Sequence, residues 1–489
     1  MTLPISSTIF FSEHMLKKSK TWVMYLFFGI IAWSAIPLGS NRPWAVNILQ
    51  IFIAVTFLLT LFAYYQQHTA RLLQFKAPII LFSVFISVAL LQIIPMPLGL
   101  VNQLSPNSAA PFLAYQEHWL TMSTESSMSR AAFNKTWMFF CTFVIALHVF
   151  SRSKNIEKML WVIVGVGAFQ GLYGAYEILL QYDSSLMFNI PYKDRASGTF
   201  VYHNHFANYL VLCLSAGMGL IVMRTQNNNA TSVSSFLLHA IAGLLSKKIL
   251  IRLALVIMVI ALVMSRSRMG NISFFLSMTL VGALAFMTMR NRSVGLSILL
   301  LSIFFIDLFL LSAWFGLDKI KTRLENTSLL NETRDEVLRD AMPIVYDFPL
   351  FGSGGNTFYS IFPQYQATKV HGFYDHLHND FVQFIIEYGF IAVICLGLLV
   401  LLAISKAFTV MRERHNALCK GASFACLLAL CATLMHMTVD FPLQAPANAM
   451  LFVVYLAMAL SLAALPRNRV KKRLHSEPEA HTISEIVTE

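Results

Sequence analysis

Apolar runs of about 20 residues recur along nearly the whole chain, and short polar loops separate them. A run of that length is long enough to cross the hydrocarbon core of a bilayer as a helix. Only helices and closed barrels satisfy every backbone hydrogen bond in lipid, and a barrel requires alternating segments of about ten residues. Because 57% of the residues are hydrophobic and only 12% are charged, the sequence predicts an all-α polytopic membrane protein.

The positions of the apolar runs predict twelve membrane-spanning helices. We place them at about residues 22–40, 44–65, 77–95, 131–150, 157–180, 204–223, 249–265, 270–289, 294–314, 383–404, 421–440 and 448–465. One membrane domain is expected to cover residues 1–465, with a long external loop at about 315–382 that contains short helices and a shorter one at about 96–130. The polar residues 466–489 are expected to form a disordered cytoplasmic tail.

Lysine and arginine are concentrated in alternate loops and at both ends of the chain. The basic loops fall at residues 71–76, 152–158, 224–248, 290–292 and 406–420. The positive-inside rule predicts that these loops and both termini face the cytoplasm. The net charge of +12 is thereby explained by membrane topology, and the pattern does not indicate a protein that binds nucleic acid.

Arginines in two of the external loops break this charge rule. Arg195 lies between the fifth and sixth predicted spans, and Arg266 and Arg268 lie in a tight turn between the seventh and eighth. Their position on the external side carries a topological penalty, so an anionic partner outside the membrane is expected. Arginine stays charged and binds phosphate through two parallel hydrogen bonds, which suits a diphosphate. Contact with lipid headgroups is the alternative.

The long external loop contains a second charged segment and a glycine-rich one. Residues 331–342 predict a helix that carries Arg334, for which a solvated charged face is the alternative to anion binding. Pro349 and the glycines of residues 352–355 predict a turn; a phosphate cradle is not favoured because no Walker-type lysine follows.

A histidine-rich loop, residues 371–379, runs directly into an apolar segment. Histidine is suited to general acid–base work because its pKa lies near neutrality. Asp375, Asp380 and Glu387 are candidates for the carboxylate that would orient such a histidine. On a helix that begins near Asn379, the side chains of Asn379, Gln383 and Glu387 form one polar stripe. The alternative is a histidine that only caps the helix.

No metal site is expected. The pairs His203/His205 and His376/His378 have ligand-like spacing, but they lack a supporting set of carboxylates. The six cysteines lie in predicted spans or in a cytoplasmic loop without CxxC spacing, which indicates neither an external disulfide nor a cysteine metal site.

Several short motifs occur in a characteristic order between about residues 190 and 400. They are Arg195-x-Ser-Gly-Thr-Phe, Asn204 with Phe206-Ala207, Ser265-Arg266, Asp347-x-Pro349-Leu-x-Gly352, and His378-Asn379 followed after nine residues by Gly389. In this combination the sequence resembles the bacterial O-antigen ligase and polysaccharide polymerase superfamily. The chain departs from the ligase pattern at Ala392, where ligases often have Gly, Thr or Tyr, so the motifs do not choose between ligase and polymerase.

The resemblance implies an inverting, metal-independent membrane glycosyltransferase of the GT-C type that needs no cofactor. Its donor would be a glycan on undecaprenyl diphosphate, and its acceptor a glycan or lipid A core hydroxyl at the periplasmic face of the bacterial inner membrane, among membrane lipids. His378 would be the base, with His376 left open for the same role, and Arg195 and Arg266 would bind the diphosphate. The expected substrate-binding residues are Arg268, Arg334, Asn379, His376, Asn204 and Glu387.

Two other functions are compatible with the sequence. Transfer of the glycan to protein hydroxyls is one, because nothing in the sequence identifies the acceptor. An exporter of polysaccharide or lipid-linked sugar is a different class with a similar number of spans. Its first candidate residues would be Glu177 and Asp307, which lie within apolar runs.

Overall fold

The computed structural model describes residues 13–114, 118–189, 191, 195–226, 248–289, 334–367, 370 and 372–467. Within these ranges the chain is helical apart from loops and one antiparallel pair of two-residue strands. Eight of the described helices are long and apolar enough to cross a membrane, or nine if one bent pair forms a single span. The prediction of an all-α polytopic membrane protein is confirmed.

The first half of the described fold contains nine α-helices and the strand pair, besides short 3-10 turns. They are α1 (Glu13–Ala35), α2 (Pro43–Ala63), α3 (Tyr65–Gln74), α4 (Lys76–Leu91), β1 (Met96–Pro97), α5 (Leu98–Leu104), α6 (Pro106–Ala109), β2 (Trp119–Leu120), α7 (Ser126–Val149), α8 (Ser153–Leu179) and α9 (His203–Gln226). Helices α3 and α4 are bent by 88° relative to each other.

Seven further helices follow. They are α10 (Lys248–Met264), α11 (Arg268–Thr288), α12 (Arg334–Asp347), α13 (Phe358–Ile361), α14 (Asp380–Glu413), α15 (Ala417–Met437) and α16 (Pro446–Ala464). The predicted span at 294–314 and the tail beyond residue 467 lie outside the described residues, so the count of twelve spans stays a prediction.

The centre of the bundle is formed by α9, α15 and α16, whose side chains are almost all buried. Helices α9 and α15 pack backbone to backbone at Gly219 and Gly421. A Cβ atom on Gly219 would lie only 2.6 Å from the carbonyl oxygen of Gly421. Small residues give membrane helices this close approach, which increases their van der Waals contact. By contrast, less than half of α2 and α14 is buried.

One end of the bundle, which we call the loop-rich end, is built from the described residues of the segments 92–125, 348–379 and 438–445. Backbone hydrogen bonds connect these segments: the Ser123 N–H donates to Gln92 O (3.0 Å) and the Thr124 N–H to Ser353 O (2.8 Å). A small second core lies there, in which Val337 and Ile344 of α12 pack with Leu377. Helix α12 continues to Asp347 through Pro343, so the predicted end at residue 342 was wrong.

Helix α14 is broken at Gly389, which has φ 72° and ψ 172°. The turn at residues 349–355 fills the break. Its Ser353 N–H donates to Ile386 O (2.8 Å) and its Gly354 N–H to Glu387 O (3.1 Å), while the Phe390 N–H donates to Pro349 O (2.8 Å). The predicted turn and the predicted span at 383–404 are therefore hydrogen-bonded to each other at the break. We call the turn at residues 349–355 and the break at Gly389 together the joint. The span itself is longer than predicted, from residue 380 to 413.

Replacement of Gly389 by alanine should destabilise the protein. A Cβ atom there would overlap the backbone of Leu350, and a side chain in this region of φ and ψ adds a strain of about 1–3 kcal/mol. The matched control is Gly397→Ala in the same helix, where the added Cβ has no neighbour within 4 Å. Thermal unfolding of the purified proteins in detergent should show a lower Tm for Gly389→Ala only. Equal Tm values would show that the joint is not required.

Candidate active site

His378 lies beside a buried carboxylate that the sequence did not single out. Its Nδ1 is 3.6 Å from Oδ1 of Asp440, which belongs to the turn between α15 and α16. The Asp440 side chain is 3% exposed and that of His378 is 24% exposed. The histidine itself has a positive φ of 56° at the residue before the N-cap of α14. A buried acid and a half-buried imidazole thus face each other at the loop-rich end.

Two of the three expected orienting carboxylates, Asp380 and Glu387, have other hydrogen-bond partners. Asp380 accepts hydrogen bonds from the Leu443 N–H (2.9 Å) and the Gln444 amide (3.2 Å). Glu387 lies two turns further along α14. The carboxylate beside His378 is that of Asp440, which was not among the candidates Asp375, Asp380 and Glu387. The detectable signal was an acidic residue at the outer end of a predicted span, where burial of a carboxylate needs compensating donors.

Asp440 is held by donors from separate elements. The Asn204 amide of α9 donates to its Oδ2, and the Phe441 N–H donates to its Oδ1 (2.9 Å). Nε2 of His436 lies 3.9 Å from Oδ2 of Asp440. Burial alone would raise the pKa of Asp440, but the interactions with His378, His436 and the Phe441 N–H lower it to about 2. The carboxylate is therefore ionised at neutral pH.

The ring of Phe441 joins the histidine-rich loop to the start of α9. The ring of His376 stacks on it with centroids 4.3 Å apart, and the ring of His378 meets it edge-on at 4.8 Å. On the α9 side, Phe441 stacks on Tyr202 at 5.4 Å, and its carbonyl oxygen lies 3.2 Å from His205 Nε2. Three of the four histidines in the two HxH pairs, His205, His376 and His378, thus contact Phe441.

The polar stripe expected on α14 is present from Gln383 to Glu387. The Gln383 amide nitrogen lies 2.9 Å from Glu387 Oε1 and 3.0 Å from His376 Nδ1. The other oxygen of Glu387 accepts from the Asn356 N–H (2.9 Å). Asn379 is the N-cap of the helix: its side chain accepts from the Val382 N–H (3.2 Å). The stripe connects the histidine loop to the turn that fills the break.

Arg195 lies next to the start of α9. Its Nη1 donates to Nε2 of His203 (3.1 Å), the residue before Asn204. The neighbouring Ala196 N–H donates to Met264 O (3.1 Å), which brings this loop against the turn that carries Arg266 and Arg268. The side chains of all three arginines are exposed.

Arg334 is the first residue of α12, and its side chain lies outside the described residues. The helix packs on the core that contains Leu377, between the two histidines of the loop. The structure therefore places the backbone of Arg334 in the element that covers the histidine loop.

Lys135 is a charged residue that sequence reasoning missed, although a lysine within an apolar span is itself a functional signal. It lines a cavity of about 90 Å³ between α4, α7, α14 and α16, whose other lining residues are mostly apolar. Its charge is close enough to Glu387 and His376 to interact with both. Gln444, which binds Asp380, also lines this cavity, so it adjoins the histidine site.

A family model described as O-Antigen ligase matches residues 253–397. The resemblance to the O-antigen ligase and polymerase superfamily is confirmed. The matched segment runs from α10 into α14 and includes Arg266, Arg268 and His378, whereas Arg195, Asn204 and Asp440 lie outside it. The match supports an O-antigen ligase-type, glycosyltransferase-like function. A comparison with curated proteins found no match.

Replacement of Glu387 by glutamine should destabilise the site. Both carboxylate oxygens accept hydrogen bonds. The NH₂ group of a glutamine would replace one of these acceptors, so the donor that faces it would lose its partner, at a cost of about 1–3 kcal/mol. Glu413→Gln is the control, because Glu413 lies on the same helix and forms an exposed pair with Arg467. Thermal unfolding should show a lower Tm for Glu387→Gln than for the control. A Tm equal to wild type would contradict the role of the carboxylate.

Proposed function

We propose that the protein transfers a glycan from undecaprenyl diphosphate to a sugar hydroxyl at the periplasmic face of the bacterial inner membrane. The acceptor is the lipid A core, for an O-antigen ligase, or the end of a growing O-antigen or exopolysaccharide chain, for a polymerase. The observation that carries the proposal is the His378–Asp440 pair at the loop-rich end, in a chain whose residues 253–397 match the O-antigen ligase family model.

His378 is proposed to act as the general base. The ionised Asp440 carboxylate favours the tautomer of His378 that has its proton on Nδ1, which leaves the lone pair of Nε2 available. That nitrogen takes the proton of the acceptor hydroxyl as the oxygen attacks the anomeric carbon. The bond from that carbon to the diphosphate oxygen breaks on the opposite face, so the configuration inverts.

The arginines are proposed to bind the diphosphate. Negative charge develops on the departing lipid diphosphate, and fixed positive charges next to it stabilise the transition state. Arg195 and Arg266 are our first candidates, since the Ala196–Met264 hydrogen bond brings their two segments together. Arg268 and Arg334 are further candidates. Guanidinium groups stay protonated and match the geometry of phosphate oxygens.

The cavity beside Lys135 supports a lipid-borne substrate. It adjoins Asp380 at the start of α14 and is bounded mainly by phenylalanine and leucine side chains. Such a surface suits a short segment of the isoprenoid chain of the carrier, because apolar groups gain free energy when they leave water for apolar surroundings.

The exporter alternative is less well supported by the geometry. Glu177, one of its candidate residues, accepts a hydrogen bond from the Leu186 N–H (2.8 Å) in the loop that follows α8. That contact assigns it a local structural role. The other candidate, Asp307, lies outside the described residues.

Purified protein reconstituted with lipid-linked glycan and acceptor, without nucleotide sugar or ATP, should transfer glycan and release lipid diphosphate. His378→Ala should lower the rate by about 10²–10⁴-fold, the usual contribution of a general base. Asp440→Asn should lower it too, because the ring loses its orienting charge. His415→Ala is the control, since His415 is an exposed histidine in the turn between α14 and α15. Normal transfer by His378→Ala would remove it from the base role.

The orientation can be tested by cysteine labelling in intact cells. Phe373 is 74% exposed at the loop-rich end, so a cysteine at that position should react with a membrane-impermeant maleimide added outside. A cysteine at position 415, at the opposite end of α14, should be protected until the cells are opened. The reverse pattern would place the site in the cytoplasm.

A further inference from the structure

The two histidines of the 376–378 loop differ in their hydrogen-bonding partners. We propose that His376 is a fixed hydrogen-bond donor to the bound glycan and presents the N–H of its Nε2 beside the base His378. This role rests on the proposed function. The two histidines then have complementary roles. His378 removes a proton, and His376 binds a substrate oxygen while the protonation state of the His376 ring stays the same.

The groups around the Gln383 side chain determine the orientation of its amide. The backbone N–H of Leu377 lies 3.0 Å from one end of this amide. A backbone N–H can only donate, so the atom that faces it must be the carbonyl oxygen. The other end is then the NH₂ group. A flipped amide would direct NH₂ at the Leu377 N–H and oxygen at a carboxylate, which would leave several buried groups unsatisfied.

The NH₂ group has two hydrogens and two acceptors. One acceptor is Glu387 Oε1 at 2.9 Å, and the other is His376 Nδ1 at 3.0 Å. Gln383 and Glu387 are both buried, with side chains only 1–2% exposed, so the arrangement is shielded from water. Nδ1 of His376 therefore accepts a hydrogen bond and carries no proton.

The His376 ring is also neutral at physiological pH. Burial lowers its pKa to about 4, and the charge of Lys135 acts in the same direction, whereas the charge of Asp375 opposes them. A neutral imidazole with a bare Nδ1 has its proton on Nε2. The two ring nitrogens point in well-separated directions, so this N–H is directed away from the buried Gln383.

His378 has the opposite arrangement. Its Nδ1 faces the Asp440 carboxylate at 3.6 Å, which favours a proton on that atom and a bare Nε2. Both rings contact Phe441, with centroids at 4.3 and 4.8 Å. The two rings therefore lie on the same phenylalanine, and in our proposal one offers a nitrogen that accepts and the other a nitrogen that donates. A sugar with neighbouring oxygens fits such a pair, because one hydroxyl donates to His378 while another oxygen accepts from His376.

Two substitutions separate the donor role from packing. His376→Gln places an uncharged amide N–H near the position of Nε2, whereas His376→Phe keeps a ring to stack on Phe441 and removes both nitrogens. In the reconstituted transfer assay, His376→Phe should lower kcat/KM by about 100-fold or more, as expected for the loss of one preorganised donor. His376→Gln should stay within about tenfold of wild type, because its amide nitrogen still donates. Equal losses in both variants, or normal activity of His376→Phe, would overturn the proposal.

The tautomer can be measured without any activity. Solid-state ¹⁵N spectra of histidine-labelled wild-type protein in lipid, with His376 assigned from the signals lost in His376→Gln, should show a bare Nδ1 and a protonated Nε2 from pH 6 to 8. A protonated Nδ1 would overturn the proposal even if the phenylalanine variant does not fold. If the wild-type protein shows no transfer at all, the proposed function fails, and this spectrum still decides the state of His376. If only His376→Phe is normal while His378→Ala is inactive, the donor role alone fails.

Discussion

The break in α14 at Gly389 is the constraint on which the candidate site depends. A continuous helix would use the carbonyl oxygens of Ile386 and Glu387 within its own ladder of hydrogen bonds. The break leaves them to the N–H groups of Ser353 and Gly354, and the side chain of Gln92 also donates to Glu387 O (2.7 Å). In the hydrocarbon region each unsatisfied backbone group costs several kcal/mol. The break and the turn therefore stabilise each other.

This joint also determines where the polar side chains lie. Because the turn is fixed on α14, the Asn356 N–H reaches Glu387. Glu387 then fixes Gln383, and Gln383 fixes both the Leu377 backbone and the His376 ring. Polar side chains are costly in lipid, but each side chain of this stripe is hydrogen-bonded to the next, up to the histidine loop.

The sequence was sufficient for the parts of the structure that depend on local patterns. Apolar run length predicted helices, and Asn379 before an apolar segment was correctly placed at the start of α14. Gln383 and Glu387 were correctly placed on one face because helical spacing is local. Asp440 was missed because its importance comes from Asn204 and His378, which lie far away in the chain and meet it only in the folded bundle. The break at Gly389 was missed for the same reason: its cause is the turn at residues 349–355.

The charges at the site are separated by uncharged groups. Asp440 receives its side-chain hydrogen bond from the Asn204 amide, and the guanidinium of Arg195 donates to the imidazole of His203, the adjacent residue. A direct pair between Arg195 and Asp440 would neutralise both. Because each is bound to a neutral group instead, neither charge cancels the other. The proposed reaction uses both: the negative charge orients the base, and a positive charge stabilises the departing diphosphate. The first turn of α9, where His203 and Asn204 are neighbours, holds one neutral partner for each charged group.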